Sequence, residues 1–205
     1  MSAHARTALT TMHVEIVEEP MSRLDEHALV PIRFLVERII EPMRADVEVD
    51  ERLLRERPVE RPWMKEYDTP GNRPADWLAR FDTSRWGLLA ARADGRRVGG
   101  AVIAWSTDGV DVLEGRDDLA VLWDLRVHPD CRGRGIGTAL FAAAERWAAA
   151  RGCVHLDVET QNINVPACRF YARQGCELRS IDAGAYGELP DEVQIVWRKE
   201  LVDDV

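Results

Sequence analysis

The chain has 205 residues, 46% hydrophobic and 31% charged, a composition typical of one folded domain and not of a disordered or fibrous protein. The formal net charge of −9 disfavours a nucleic-acid binder, which needs a basic surface, and favours a cationic partner. No apolar run approaches the roughly 20 residues that cross a bilayer, and residues 1–11 lack a secretory signal's apolar segment. We expect a cytoplasmic protein with a flexible tail at 1–11, a single domain at 12–205, and no nucleic-acid or membrane partner.

The amino-terminal third gives weak secondary-structure signals. Residues 13–17 predict a short strand, and residues 29–40 alternate in part like a strand, although a helix stays open there. The charged stretch 50–57 predicts a helix. Asn72-Arg73-Pro74 indicates a loop before a short helix around Trp77.

The pattern sharpens from residue 86 onward. Residues 86–92 and 98–105 predict a hairpin, because Asp94-Gly95 supplies the positive dihedral angles of a tight turn. Residues 118–127 predict a strand, and residues 135–151 a helix with one apolar face that ends at Gly152. A strand at 154–160, a helix at 166–174 ended by Gly175, and strands at 178–182 and 193–197 follow. This order predicts an α+β fold: a mixed, mostly antiparallel sheet of about seven strands flanked by helices.

Between the third strand and its helix, residues 132–138 read Arg-Gly-Arg-Gly-Ile-Gly-Thr. Glycine permits positive φ and close approach of a ligand to the backbone, and the first turn of a helix presents free N–H groups. The positive end of the helix dipole and two arginines add to the attraction for a negative charge. The segment therefore predicts a site for an anion such as a phosphate.

Several kinds of loop could produce this pattern. A Walker A loop requires a lysine, which is absent here. A dinucleotide-binding GxGxxG turn would need a third glycine where Thr138 stands, and it would follow its strand without the intervening residues 128–132. A tight turn with no ligand is the remaining alternative for the loop taken alone.

Two motifs carry a resemblance to a known family. Residues 132–137 resemble the (Q/R)xxGx(G/A) signature of the GNAT N-acetyltransferases, and they lie between strand and helix as in that family. Residues 164–176, NVPACRFYARQGC, resemble the family's NxxAxx(F/L)YxxxGF, with Cys176 in place of the usual phenylalanine. Residues 158–168, VETQNINVPAC, are also similar to the LETQNVNVPAC stretch of its streptothricin and lysine acetyltransferases. The close likeness covers about residues 120–178.

The resemblance implies acetyl-CoA as co-substrate and no metal. In this family the strand before the loop pairs with the pantetheine arm, the loop holds the pyrophosphate, and an asparagine bonds the pantetheine region. By motif position, the implied cofactor-binding residues are Leu125, Arg126, Val127, Arg132, Gly133, Arg134, Gly135, Ile136, Gly137, Thr138 and Asn164.

The resemblance also implies catalytic residues. Direct attack of an amine on a thioester needs a neutral amine, a stabilised oxyanion and a proton for the departing thiolate. Tyr171 matches the family's proton donor, with a core aromatic as the alternative. Glu159 matches the place of the general base in the related amino-terminal acetyltransferases, and Asp124 matches an acidic residue of the streptothricin group. If both carboxylates share one face, Asp124 would hold the ammonium and Glu159 relay the proton. A structural salt bridge is the alternative for each.

The implied function is acetyl transfer to the primary amine of a small cationic acceptor, such as lysine or a streptothricin-like antibiotic. A protein amino terminus or lysine is the alternative acceptor, and a regulatory module that binds acetyl-CoA without turnover is the alternative class. Trp123 and Tyr186 are candidates for pocket walls. The four cysteines lack CxxC spacing, so we expect reduced thiols and no metal site. The oligomeric state stays open, a homodimer included.

Overall fold

The computed structural model describes residues 13–41, 54–187, 189 and 191–201. The predicted tail at residues 1–11 lies outside them. The strands and helices, in chain order, are β1 (Val14–Glu19), α1 (Leu24–Ala28), β2 (Phe34–Ile40), β3 (Glu56–Lys65), α2 (Pro74–Arg80), β4 (Gly87–Ala93), β5 (Arg96–Trp105), β6 (Leu119–Val127), α3 (Ile136–Ala149), β7 (His155–Gln161), α4 (Val165–Arg173), β8 (Glu177–Asp182) and β9 (Gln194–Glu200).

Seven strands form one sheet in the order β1-β4-β5-β6-β7-β9-β8, and β2 pairs with β3 in a separate ribbon. Within the sheet, β6 and β7 are parallel and joined through α3, whereas the other neighbours are antiparallel. The predicted α+β fold with a seven-stranded, mostly antiparallel sheet is therefore confirmed. Among the described residues, no helix is long and apolar enough to span a membrane.

The sheet buries apolar side chains on both faces. Alternate residues of β5 divide between two cores, with Ala101 and Ile103 on one face and Val102 and Ala104 on the other. α3 and α4 cover the first face, where Leu140 and Phe141 are fully buried. α1 and α2 cover the second face, where Leu24 packs with aromatic residues such as Trp77. The protein thus has helices on both sides of one sheet.

The turns and helix ends predicted from glycines are found at the predicted places. Asp94 and Gly95 join β4 to β5 with φ angles of 50° and 73°. Gly135 is the N-cap of α3 and Gly152 follows its end, each with a φ of 81°. At both positions the backbone adopts the left-handed conformation that glycine accepts without steric cost.

The amino-terminal third differs from the prediction. Residues 24–28 form α1, which was not predicted, and the strand expected within 29–40 begins only at Phe34. The helix predicted at 50–57 is wrong for Glu56 and Arg57, which begin β3, while residues 50–53 lie outside the described ranges. β3 contains Pro58 and Pro62, which lack the N–H that a central strand needs. A two-stranded ribbon tolerates them because, within the part of the chain that the structure describes, one edge of β3 has no neighbouring strand.

Candidate active site

A cleft opens where β6 and β7 diverge. The two strands pair at Leu119–Val121 and His155–Asp157, and no further pairing between them follows in this described part of the sheet. Beyond that point β6 bonds only to β5, so part of its backbone faces the gap. The cleft has a volume of about 1330 Å³, which exceeds the usual 300–1,000 Å³ of a pocket for one small molecule. The cleft is therefore larger than a pocket for one small molecule.

A bulge in β6 decides which side chains face the cleft. Val102 pairs with Asp124 and Ile103 with Leu122, so Trp123 is the extra residue. Leu122 and Leu125 consequently face the α3 core, whereas Trp123 and Asp124 both face the α1–α2 side. On β7, Val158 faces the α3 core, which places the next residue, Glu159, on the α1–α2 side. The condition that Asp124 and Glu159 share one face is therefore met, through a bulge that the alternating pattern does not reveal.

The first group of cleft-lining residues, here called the glycine-loop half, lies within residues 125–138 and 164–174. Gly133 and Gly135 have φ angles of 73° and 81°, and no described atom lies within 4 Å of where a Cβ would stand on either. The N–H groups of the first turn of α3 follow directly, so the loop offers open space beside unpaired donors. Arg132 lines the cleft and donates from Nε to the Val127 carbonyl at 3.1 Å.

Of the residues implied to bind the cofactor, all but one line this cleft: Leu125, Arg126, Val127, Arg132, Gly133, Gly135, Ile136, Gly137, Thr138 and Asn164. The exception is Arg134, whose side chain is exposed and does not line the cleft. Asn164 is also the N-cap of α4, where its Oδ1 accepts from the Ala167 N–H at 3.3 Å. The motif asparagine thus shapes the helix start as well as the cleft wall.

Tyr171 lies on α4 and lines the cleft. It is buried, with its ring centroid 5.9 Å from that of Phe141 and 5.1 Å from that of Phe170. Burial, with a contribution from the negative charge of Asp124, raises the pKa of the Tyr171 phenol far above its usual range. The hydroxyl therefore stays protonated at any physiological pH and can donate a hydrogen bond.

Asp124 belongs to a buried ion-pair network. Arg126 donates to it from Nε at 2.8 Å and from Nη2 at 2.7 Å, and the His27 Nε2 lies 2.7 Å from Oδ1. Burial alone would raise the pKa of Asp124, but Arg126 and His27 together hold it well below its usual range. Gly100 on β5 makes room for His27, since a Cβ there would lie 2.5 Å from the imidazole. Arg126 also bonds the carboxylate of Asp68 at 2.9 and 3.2 Å.

Glu159 has different partners. The Tyr186 hydroxyl donates to its Oε1 at 2.5 Å and the Gln194 amide donates to its Oε2 at 2.9 Å. Behind Tyr186, the side-chain Nε2 of Gln161 donates to the Tyr186 hydroxyl oxygen at 2.9 Å. The Tyr67 hydroxyl in turn donates to the side-chain Oε1 of Gln161 at 2.6 Å. These residues bring together β7, β9, the connection between β8 and β9, and the segment after β3.

The charges of the second group of cleft-lining residues, here called the acidic half, follow from these bonds. The group consists of Tyr67, Asp68, Trp123, Asp124, Glu159, Gln161, Tyr186 and Glu192. Glu192 pairs with Lys65, and Asp68 and Asp124 pair with Arg126. Among the described carboxylates of this half, only Glu159 is held by neutral donors alone. It is therefore the carboxylate whose charge a ligand would meet uncompensated.

Sequence reasoning missed four residues of the acidic half, namely Tyr67, Asp68, Gln161 and Glu192. It also missed three residues that bond to members of this half, namely His27, Lys65 and Gln194. One compositional signal existed: the chain has only three tyrosines, and all three line the cleft. That signal becomes visible only when the structure brings the three together. Trp123 and Tyr186, named from the sequence as candidate walls, do line the cleft. In the described ranges, no group of three or more His, Cys, Asp or Glu could hold a metal.

Comparison with known proteins bears on the family. The model of the acetyltransferase (GNAT) family matches residues 48–176. A streptothricin acetyltransferase from Streptomyces lavendulae is 32% identical over 142 residues, covering 69% of this chain and 71% of that protein. Streptothricin acetyltransferase A from Bacillus subtilis (strain 168) is 38% identical over 80 residues, covering 38% of this chain. That match spans 46% of the Bacillus subtilis protein, less than half its length.

A solved structure shares the fold. The crystal structure of a protein from Bacillus anthracis str. Ames in complex with acetyl coenzyme A aligns with a TM-score of 0.71 at 23% identity. The alignment covers 94% of this chain and 100% of that chain. Because the family model matches more than half of the sequence and the Streptomyces relative matches over two thirds of it, this chain belongs to the acetyltransferase (GNAT) family and is an acetyltransferase.

Proposed function

We propose that this chain transfers the acetyl group of acetyl-CoA to a primary amine of a small cationic acceptor, without a covalent enzyme intermediate. In this reaction the amine nitrogen bonds to the thioester carbonyl carbon, the carbon–sulfur bond breaks, and the departing thiolate takes a proton. The open glycine loop and the unpaired edge of β6 support a cofactor in the glycine-loop half. The acidic half supports the binding of a cationic acceptor beside that cofactor.

Glu159 carries the proposal. It lines the cleft as the one described carboxylate there without a cationic partner, and the chain as a whole is acidic. A carboxylate in this state binds an ammonium group and can accept the proton that the amine must lose before it attacks. Trp123 and Tyr67 add aromatic walls, which favour a cation over a neutral ligand.

The division of roles between the two carboxylates changes with the structure. The sequence favoured Asp124 as the residue that holds the ammonium, but Arg126 and His27 occupy both of its oxygens. In our proposal Glu159 both receives the ammonium and relays its proton. Asp124 positions Arg126, and through it Asp68 on the acceptor side.

Tyr171 is the proposed proton donor. Its hydroxyl stays protonated because burial and the charge of Asp124 raise its pKa, so it can donate to the sulfur as negative charge develops there. A backbone N–H group within residues 125–127 that points to the unpaired edge of β6 is the proposed partner of the oxyanion. No metal enters this scheme.

The acceptor class follows from charge and from the relatives. Relatives named streptothricin acetyltransferase match this chain, which supports streptothricin-like antibiotics as acceptors. The acidic half of the cleft supports lysine-like amines as well. The Bacillus anthracis protein of the same fold was crystallised with acetyl coenzyme A, which supports acetyl-CoA as the donor.

The test is free-thiol release by purified protein with acetyl-CoA and a panel of streptothricin, lysine, polyamines and peptides. We expect saturable release with a small cationic amine, and a loss of about 100-fold or more in kcat for Tyr171→Phe with unchanged acetyl-CoA affinity. Turnover with peptides alone would show that the acceptor is an amine of a peptide or protein and not a small molecule. Saturable acetyl-CoA binding without thiol release on any amine would contradict the enzyme function proposed here.

A further inference from the structure

We propose that Tyr186, Gln161 and Tyr67 form a one-way chain of hydrogen bonds that fixes the Glu159 carboxylate for the incoming amine. This inference rests on the proposed function of Glu159. In it, Tyr186 is a positioning residue in direct contact with the base, and Tyr67 acts through Gln161. None of the three belongs to the glycine loop or to the motif at residues 164–176.

The direction of the chain follows from its chemistry. The Tyr67 hydroxyl donates to the side-chain Oε1 of Gln161, so the side-chain Nε2 of Gln161 faces Tyr186 and donates to the Tyr186 hydroxyl oxygen. With its oxygen already accepting, the Tyr186 hydroxyl hydrogen points to Glu159. Each bond thereby sets the direction of the next, and the last donor is aimed at the base.

Both phenols are suited to this role. Burial, followed by the charge of Glu192, raises the pKa of Tyr67 far above its usual range. Burial, followed by the charge of Glu159, does the same for Tyr186. Neither hydroxyl therefore loses its proton in the range where an amine becomes neutral, and the chain keeps its direction there.

Other charged groups near Glu159 are already paired or are common to the variants below. Glu192 and Lys65 form an ion pair at the wall of the cleft, and Asp124 with Arg126 faces the same side from β6. Cys168 on α4 lies within electrostatic range of Tyr67, and burial raises its thiol pKa to about 11. Replacing a tyrosine by phenylalanine changes none of these charges.

The chain also explains what the amino-terminal region contributes. Tyr67 follows β3 and lies 94 residues from Gln161 in sequence. The ribbon contacts the same place. The Ile40 N–H donates to the main-chain carbonyl of Asn162 at 2.9 Å, and the side-chain amide of Asn162 donates to the main-chain carbonyl of Ile40 at 3.2 Å. The segment after β3 is thus held at the end of β7, and the orientation of the base depends on it.

The test compares Tyr186→Phe, Tyr67→Phe and the double variant by pH profiles of kcat/KM for the amine. A hydrogen bond donated to a carboxylate favours the ionised form of that carboxylate. Loss of this bond in Tyr186→Phe should therefore move the acidic limb of the kcat/KM profile up by about one pH unit. It should also lower kcat/KM about tenfold at neutral pH, with unchanged acetyl-CoA affinity. Tyr67→Phe should give a smaller shift in the same direction, because the Gln161 amide is then free to turn.

The double variant distinguishes a series of coupled hydrogen bonds from two tyrosines that contact the acceptor independently. If the bonds act in series, Tyr67→Phe adds nothing once Tyr186 has lost its hydroxyl, and the double variant matches Tyr186→Phe alone. Additive losses, or a KM increase with no movement of the acidic limb, would show that the two tyrosines only pack against the acceptor and would overturn the inference.

A second measurement keeps this test apart from the proposed function. Carbon-13 NMR of glutamate-labelled protein, with Glu159→Gln to assign the signal, follows the Glu159 carboxylate titration without any turnover. A midpoint that rises in Tyr186→Phe supports the chain even if the wild-type protein releases no thiol with any amine. An unchanged midpoint in an active enzyme overturns the chain and leaves the proposed function standing.

Discussion

The glycine-loop half of the cleft offers main-chain groups from one continuous stretch, whereas the acidic half presents side chains from segments far apart in sequence. Around Gly133 and Gly135 the ligand space exists because side chains are missing. In the acidic half, Lys65 reaches Glu192 across 127 residues of sequence and Tyr67 reaches Gln161 across 94. Because main-chain groups stay in place when side chains change, the first half can keep its ligand under substitution, while the second can change its ligand by changing a few side chains.

The two halves also differ in how they handle charge. The glycine-loop half relies on N–H groups and a helix start, which carry only partial charges and need no counter-ion. The acidic half contains full charges and neutralises most of them internally, through Arg126 and Lys65. It leaves Glu159 without a cationic partner, and there we propose that the cationic acceptor binds. Substitutions in each half should therefore affect different ligands.

The largest effect is expected for Glu159→Gln. The amide keeps the size of the side chain but cannot accept the amine's proton, so kcat/KM for the amine should fall by about 100-fold or more. Acetyl-CoA affinity, measured by calorimetry, should not change. Glu192→Gln is the matched control, because it makes the same chemical change at a carboxylate paired with Lys65. Equal losses in the two variants would contradict the assignment of Glu159 as the base.

The next effect concerns the glycine-loop half. Gly135→Trp should raise the Kd for acetyl-CoA by about 10- to 100-fold, because the side chain enters the open space beside the first turn of α3. Gly152→Trp is the control at the other end of the same helix. It has the same φ of 81°, equally open surroundings, and no place in the cleft.

Both glycine variants should lose similar stability from backbone strain, and thermal unfolding measures that loss. Only Gly135→Trp should lose acetyl-CoA affinity. If Gly152→Trp weakened binding as much, strain transmitted along α3 rather than a blocked path would explain the result.

How much the sequence could reveal differs between the halves for the same physical reason. The hairpin, α3 and its loop were predictable, because glycines such as Gly95, Gly135 and Gly152 act locally on the backbone. β3 was not, because Pro58 and Pro62 mask a strand that only an unpaired ribbon edge tolerates. Glu159 and Asp124 were named from motif position, but the division of roles between them could not be predicted from the sequence. It depends on the bulge at Trp123 and on His27, which is 97 residues from Asp124.

A smaller effect should follow from Asp68→Asn. This change weakens the link between Arg126 and the segment that carries Tyr67, so we expect KM for the amine to rise a few-fold and acetyl-CoA affinity to hold. Asp118→Asn breaks a bidentate pair with Arg116 of similar geometry on the exposed surface. That control should change neither constant, since solvent screens an exposed ion pair and leaves it little energetic effect. A KM unchanged in Asp68→Asn would mean that Arg126 does not support the acceptor side.

The smallest effect is on stability at alkaline pH. Burial raises the pKa of all three tyrosines, Tyr67 and Tyr186 in the acidic half and Tyr171 on α4. Phenols of the unfolded chain ionise near pH 10 while those of the folded chain do not, so this stability is fully present below about pH 10 and is lost as pH rises further. The loss is about 1.4 kcal/mol per pH unit from Tyr171 and less from Tyr67 and Tyr186, which water reaches more easily.

Urea unfolding between pH 9 and pH 11.5 measures this slope, and absorbance at 295 nm follows tyrosinate in the folded protein. Tyr171→Phe should flatten the slope more than Tyr67→Phe does, because Tyr171 is sealed against Phe141 and Phe170 whereas Tyr67 faces the acceptor space. Equal flattening would mean that the acidic half excludes water as fully as the core under α3. Tyrosinate appearing near pH 10 in the folded protein would show that the hydroxyls are not held as donors, which would weaken both Tyr171 as proton donor and the chain that ends on Glu159.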